Sequence, residues 1–182
     1  MKYYKYLDIE YSMSCQQLKK YALDNLNKLT LFQTDIDKED ILEACPDLQK
    51  MFDPLKITIK TVSFITTDNI DIEYGIHIDV LEYEDLEFSP IRINLPVLNC
   101  EGSITNFYTS SYLPVNKQLS ENIYYLGYEY ENCQLVDSFC LNRPAVLRVD
   151  EIHQVIANPN YHLPRISCSI EFEEDLEFLF KN

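Results

Sequence analysis

Ile91-Arg92-Ile93-Asn94-Leu95-Pro96-Val97 alternates apolar and polar side chains at every step. Successive side chains of a strand point to opposite faces. The segment therefore predicts a strand with Ile91, Ile93, Leu95 and Val97 on one face and Arg92, Asn94 and Pro96 on the other. The same period recurs on both sides. Ile76, Ile78 and Val80 alternate with His77 and Asp79, and Ile166, Cys168 and Ile170 alternate with Arg165, Ser167 and Ser169. A long strand opens at Ile57 and Ile59, with a slip in its alternation near Thr61. Shorter ones follow at about 71–80, 90–98, 103–109, 123–130, 133–140, 145–149, 152–157 and 164–173. Turn signals such as Asp68-Asn69, Asn99 to Gly102 and Asn158-Pro159-Asn160 separate them. Many short strands with such punctuation give a mainly β fold, a sandwich or jelly roll.

The first third reads differently. Ser14-Cys15-Gln16-Gln17 predicts a capping box opening a helix, with Leu18, Tyr21, Ala22, Leu26 and Leu29 near one face. A second helical stretch runs from about Lys38 to Phe52, interrupted at Pro46. Amphipathic helices must bury their apolar stripes, and one outer face of the β-structure is the surface on offer. The expected organisation is a single domain over 1–182. It has an N-terminal helical region at 1–54, a β-core at 55–173 and a C-terminal tail at 174–182. The segment Glu171 to Phe180 mixes acids with Phe and Leu, which suits either a cap on the core or a contact with a second subunit.

Composition bounds the function. The chain has 182 residues, 30 acidic against 15 basic, and a formal net charge of -15. So acidic a surface, with no run of Lys and Arg, gives no electrostatic grip on nucleic acid. No stretch of 18 apolar residues exists, so no membrane span is expected. The polar, aromatic start at 1–11 lacks a signal-peptide core, and the expected location is the cytoplasm. Six cysteines without a C-x-x-C pair read as reduced, mostly buried thiols rather than a zinc ribbon. Only three glycines are present, and no phosphate-cradling loop is among them.

The polar strand faces carry the functional signal. Either they are wet, or helices cover the apolar faces and the polar faces line a pocket. Their His, Asp, Arg, Asn and Ser side chains favour ligands over plain solvation. His77-Ile78-Asp79 puts an imidazole and a carboxylate on one face, two residues apart. A third ligand can come from His153, on a late strand, or His162, in a Pro-flanked turn, and a rigid element favours His153. Two histidines and one carboxylate, with open positions remaining, suit a non-haem Fe(II) centre. H-x-D alone is a weak signal, because a strand histidine is commonly just a satisfied polar residue. The ordered series of an H-x-D strand, then His153, then Arg165 is more specific. Arg92 and Arg148 suit either a substrate carboxylate or an ion pair with a nearby acid.

The segments Ile76-His77-Ile78-Asp79, Arg92 to Pro96, Asn99 to Tyr108, Arg143 to Arg148, His153-Gln154-Val155 and Pro164 to Ser167 together resemble the Fe(II)/2-oxoglutarate-dependent dioxygenases. The likeness is to the hydroxylase-like members, of prolyl and aspartyl/asparaginyl type. It spans about residues 75–172 and leaves the first third uncovered. It implies a double-stranded β-helix, with the N-terminal helices packed on one sheet. It implies that His77, Asp79 and His153 bind Fe(II). It implies that Arg165 pairs with the distal carboxylate of 2-oxoglutarate through its guanidinium fork, supported by Ser167, with Tyr108 and Asn94 as further contacts to the cosubstrate. The implied reaction uses O2 and hydroxylates a small molecule or a protein side chain, with succinate and carbon dioxide as co-products. The acidic run Glu82 to Glu87 follows the H-x-D strand and suggests a cationic substrate. Two departures stand out. Glu101 to Phe107 has one glycine where the prolyl type has a pair, whereas Asp79 is present where aspartyl relatives often lack the carboxylate. Two other readings stay open: a jelly-roll binding module without turnover, and a cupin-like metal enzyme that does not use 2-oxoglutarate.

Overall fold

The alternating segments assemble into two six-stranded antiparallel sheets. The structure, a computed structural model, describes residues 2–29, 32–67, 75–79, 89–120, 123–156 and 163–181. Among these residues the strands are β1 (Tyr4–Tyr6), β2 (Gln33–Ile36), β3 (Ile59–Thr67), β4 (Ile76–Ile78), β5 (Ile91–Leu98), β6 (Ile104–Ser110), β7 (Val115–Ser120), β8 (Ile123–Tyr128), β9 (Cys133–Cys140), β10 (Ala145–Arg148), β11 (His153–Ile156) and β12 (Arg165–Phe172). The first sheet has the order β1-β10-β5-β12-β3-β2, and the second β7-β8-β4-β11-β6-β9.

This order is a winding rule. From β3 to β6 the chain changes sheet at every strand. From β9 onwards it returns: β9 beside β6, β10 beside β5, β11 between β4 and β6, β12 between β3 and β5. Two antiparallel halves coiled together in this way form a jelly roll, one of the two architectures the strand pattern predicts and the one the resemblance implies. The β7–β8 hairpin is an insertion that widens the second sheet beyond β4.

Helices α1 (Ser12–Asp24), α2 (Lys38–Ala44) and α3 (Asp47–Lys50) cover the first sheet. Their apolar side chains Leu18, Ala22, Ile41 and Leu48 share one core with Phe64, Ile93, Leu95, Ile166, Cys168 and Ile170 from the strands. Each fully buried Leu or Ile contributes about 1.5–3 kcal/mol. This core occupies one face of the alternation, so the opposite face of β5 and β12 turns inward. A second cluster, Phe107, Phe139, Leu141, Ala145, Leu147 and Val149, lies on that inner side, with Tyr3, Tyr4 and Tyr6 packed against it.

Several local features differ from expectation. Helix α1 begins at Ser12, whose amide donates to the Glu10 carboxylate at 2.8 Å, rather than at a cap supplied by Ser14. Ser14 is instead buried, and its hydroxyl donates to the Asp47 carbonyl at 3.0 Å. Gln17 donates to the Asp47 carboxylate at 2.7 Å and accepts from the Asp47 amide at 3.2 Å. The expected capping box is thus a tie between α1 and the start of α3. The break at Pro46 separates α2 from α3, and Asp37 caps α2 by accepting from the amides of Glu39 and Asp40. The short edge strands β1 and β2 lie inside the stretch expected to be helical, and β7 lies where the pattern predicts no strand.

The slip near Thr61 is real. Glu171 pairs with Thr61 and Phe172 with Ile59, which leaves Lys60 as the extra residue of a bulge. The C-terminal segment caps the core, because Leu176 and Leu179 are buried in it and Arg148 donates to the Glu177 carboxylate at 2.6 Å. The six cysteines are free, three buried and three partly buried, so half rather than most are fully enclosed. No helix among the described residues is long and apolar enough to cross a membrane.

Candidate metal centre

The site is built by the pairing of short strands. His153 sits directly opposite His77 across β11 and β4, and directly opposite Phe107 across β11 and β6. Paired residues of adjacent strands share a face, so both imidazoles point inward. Asp79 follows two positions after His77 and joins the same face. Its backbone amide donates to the Val149 carbonyl at 2.9 Å, which holds the strand end after β4 in place.

Ligand atoms of His77, Asp79 and His153 all lie within 4.8 Å of one another. The Asp79 Oδ1 atom is 3.2 Å from His77 Nε2 and 3.5 Å from His153 Nε2. The two ring centroids are 4.5 Å apart. Each imidazole is oriented from behind by a backbone carbonyl. His77 Nδ1 lies 2.7 Å from Gly75 O, and His153 Nδ1 lies 2.9 Å from Glu151 O. A carbonyl only accepts, so Nδ1 carries a proton in each ring, and Nε2 is the atom turned to the centre and offered to a metal.

The electrostatics follow from burial and charge. Burial alone would raise the Asp79 carboxyl, but His153, His77 and Arg92 hold it well below the usual carboxylate range. Burial opposes protonation of His77, and the hydrogen bond and charge of Asp79 outweigh it, so its pKa is raised. His153 is lowered, because there burial outweighs the attraction of Asp79. The group is therefore an ionised carboxylate between two imidazoles. That donor set suits a divalent first-row ion and leaves several coordination positions open.

The three residues line a cavity between the sheets together with Asn94, Thr105, Arg165, Ser167 and Ser169. Helices cover the apolar faces and the polar faces line this pocket, as one of the two readings of the alternation has it. Arg165 is 4% exposed and has no acidic partner among the described residues. Its Nη1 donates to Ser167 Oγ at 3.3 Å, and its Nε has no partner. The Oδ1 atom of Asn94 is also buried without a partner. An enclosed guanidinium lacking a counter-charge is costly, and an anion entering the cavity removes that cost. The residues therefore fit a metal ion and an anionic ligand held side by side.

Not every candidate converges. Tyr108 does not line the cavity, and the expectation that it contacts a cosubstrate is corrected. Alternation along β6 sends Thr105 and Phe107 inward and Asn106 and Tyr108 outward. There the Tyr108 hydroxyl donates to Gln154 Oε1 at 3.2 Å and accepts from Asn106 Nδ2 at 3.3 Å, while Tyr130 also bonds Gln154. The same period-two rule applied to 104–108 places Tyr108 correctly. Arg92 pairs with Glu171 at 2.7 Å and Arg148 with Glu177, so for both the ion-pair reading is the one realised. His162 and the acidic run Glu82 to Glu87 lie outside the described residues. Thr67, Thr105 and Ser169 also line the cavity, beyond the expected site residues, and Ser169 stands on the face that carries Arg165.

The chain matches no family model and no curated protein. Among solved structures, it is similar to a viral collagen prolyl hydroxylase from Paramecium Bursaria Chlorella virus-1. That similarity has a TM-score of 0.45 and 12% sequence identity over 93% of this chain and 88% of that one.

Proposed function

We propose that this protein is an Fe(II)- and 2-oxoglutarate-dependent oxygenase that hydroxylates a small molecule or a protein side chain. The observation that carries the reading is a combination within one cavity. A His-Asp-His group, with Asp79 half-buried, has its free ligand atoms gathered, and a buried arginine in the same cavity has no acidic partner among the described residues. A metal site alone would fit many chemistries. A metal site that shares its cavity with a guanidinium lacking an acidic partner among the described residues suits a chelating dicarboxylate, with one end at the metal and the other at the arginine.

His77, Asp79 and His153 would hold the iron, each imidazole through Nε2. When bound, the iron and 2-oxoglutarate together supply oxygen activation coupled to oxidative decarboxylation, with succinate and carbon dioxide as co-products. Arg165 would receive the distal carboxylate in its guanidinium fork, and Ser167, already bonded to that guanidinium, would keep it aimed. Asn94 offers an amide beside the same cavity. The apolar wall of Phe139, Leu141, Leu147 and Val149 excludes water from one side. Six unpaired thiols suit a reducing compartment, which supports the cytoplasm as the place of action.

The test is succinate formation from 2-oxoglutarate by Fe(II)-loaded protein in air. Slow uncoupled turnover does not need the true substrate, so ignorance of that substrate does not block it. Production by the wild type and its loss in His153→Ala support the reading. A wild type that binds 2-oxoglutarate but yields no succinate overturns it in favour of a binding module.

A further inference from the structure

The third element around His77 is neither a ligand nor a backbone carbonyl. Tyr125, on β8, sets the edge of its ring against the imidazole, with centroids 5.9 Å apart and planes at 81°. This contact is made possible by glycine. The chain has three glycines, and two of them flank this ring. A Cβ on Gly75 would come within 3.1 Å of the Tyr125 hydroxyl, and one on Gly127 within 2.9 Å of its ring.

Gly127 lies directly opposite His77 across β4 and β8. The space its missing side chain leaves is filled by Tyr125 and by the stem of Lys117, whose Cδ lies 2.7 Å from where a Cβ would stand. Lys117 is itself fixed. It pairs with Tyr125 across β7 and β8, and its ammonium group donates to the Tyr128 carbonyl at 3.2 Å and meets Glu129 at 3.1 Å. A chain of support therefore runs from Lys117 to Tyr125 to His77. Gly75 belongs to it too, because its carbonyl accepts the His77 Nδ1 proton.

We infer that Tyr125 is a positioning residue of the metal centre. It closes the side of His77 that faces the β7–β8 hairpin and keeps the ring from turning away from Asp79. The hairpin lies beside β4 in the second sheet, so it reaches the centre from that side. Partners that orient a ligating histidine typically change metal affinity 10–100-fold when removed. The inference rests on the proposed metal site, and its test separates the two.

The experiment uses the full chain and two readouts. The first is Co(II) affinity by titration of the visible d–d absorption. The second is the imidazole Nδ1–H resonance of His77 in the metal-free protein. Tyr125→Ala is expected to weaken Co(II) binding about 10-fold and to speed solvent exchange of the His77 proton. Gly127→Ala is expected to do the same, by displacing the ring without removing it. Tyr125→Phe keeps the edge contact and is expected to match the wild type in both. A Tyr125→Ala protein with wild-type affinity and an unchanged His77 resonance overturns the inference. If the wild type itself takes up no Co(II), the metal reading fails, and the His77 resonance alone then decides the role of Tyr125.

Discussion

His77 and His153 stand directly opposite each other on antiparallel strands, and Asp79 reaches both from the face they share. Strand register brings together two imidazoles far apart in the chain. A slip of one residue between β4 and β11 would turn His153 to the opposite face and replace it with Gln154 or Ile152. The pairing of β11 with β6, four residue pairs long, fixes that register. The core that covers the first sheet leaves the interior free for polar groups, because it uses only one face of β5 and β12.

Arg165 ties function to a stability cost. Its buried guanidinium has no acidic partner among the described residues. Arg165→Met is expected to raise the stability of the ligand-free protein by about 1–3 kcal/mol, because an uncompensated buried charge is removed. The same variant is expected to lose the thermal shift that 2-oxoglutarate gives the metal-loaded wild type. Urea unfolding and a melting series with added 2-oxoglutarate measure the two effects. Destabilisation together with a retained shift would count against the assignment.

The Arg92–Glu171 pair behaves in the opposite way. Both side chains are largely buried and lie 2.7 Å apart. Glu171→Ala removes the carboxylate of this pair from a buried guanidinium and is expected to cost about 3 kcal/mol. The double variant Arg92→Met/Glu171→Met is expected to recover most of that loss. Denaturant midpoints of the wild type, Glu171→Ala and the double variant decide the point: a double variant no more stable than Glu171→Ala would contradict it.

The fold was legible where alternation is unbroken. Ile91 to Val97 and Arg165 to Ile170 read directly as strands with one apolar and one ionisable face, and both faces are used as that pattern implies. His77 and Asp79 followed from the same rule, and His153 from its order along the chain. What was not legible is equally specific. The strands β1 and β2, of three and four residues, are too short to show a period of their own. They exist because edges of the first sheet accept their backbones at Leu147, Val146 and Ala145 and at Ile65 to Val62. Ser14 and Gln17 have the residue types of a helix cap, but tertiary contact with Asp47 claims them. The resemblance suggests Tyr108 as a contact, but its parity on β6 places it with Asn106 and Gln154, away from the cavity. Tyr125 gave no sign at all, since its role depends on two glycines far apart in sequence.

Tyr108 offers a separate test of that parity argument. Its hydroxyl serves Gln154 and Asn106 on the outer face of the second sheet. Tyr108→Phe is expected to cost about 1 kcal/mol of stability and to leave 2-oxoglutarate affinity unchanged. Calorimetric titration of the metal-loaded variant measures the second quantity, and a large loss of affinity would return Tyr108 to the cavity.

Asp150 predicts a dependence on pH. Burial raises its carboxyl above the ordinary value, Glu177 adds to this, and Arg148 offsets it in part. Its Oδ1 atom is buried without a partner. A raised folded-state pKa favours the folded protein when the group is protonated. That contribution is complete below the unfolded carboxylate value and is lost as the pH rises through the folded one. Asp150→Asn removes the charge at every pH. The variant is expected to be more stable than the wild type near neutrality, with the difference shrinking towards zero as the pH falls below about 4, the ordinary carboxylate range. Unfolding curves at several pH values check both the sign and the trend.

The most direct test of the central claim, a metal and a 2-oxoglutarate carboxylate held in one cavity by His77, Asp79, His153 and Arg165, is the visible spectrum of the anaerobic Fe(II) protein on addition of 2-oxoglutarate. The account predicts a weak charge-transfer band in the wild type. It predicts no band in His153→Ala, and in Arg165→Met a band only at much higher 2-oxoglutarate concentration. A wild-type protein that shows no band, or a band that His153→Ala leaves unchanged, would contradict it.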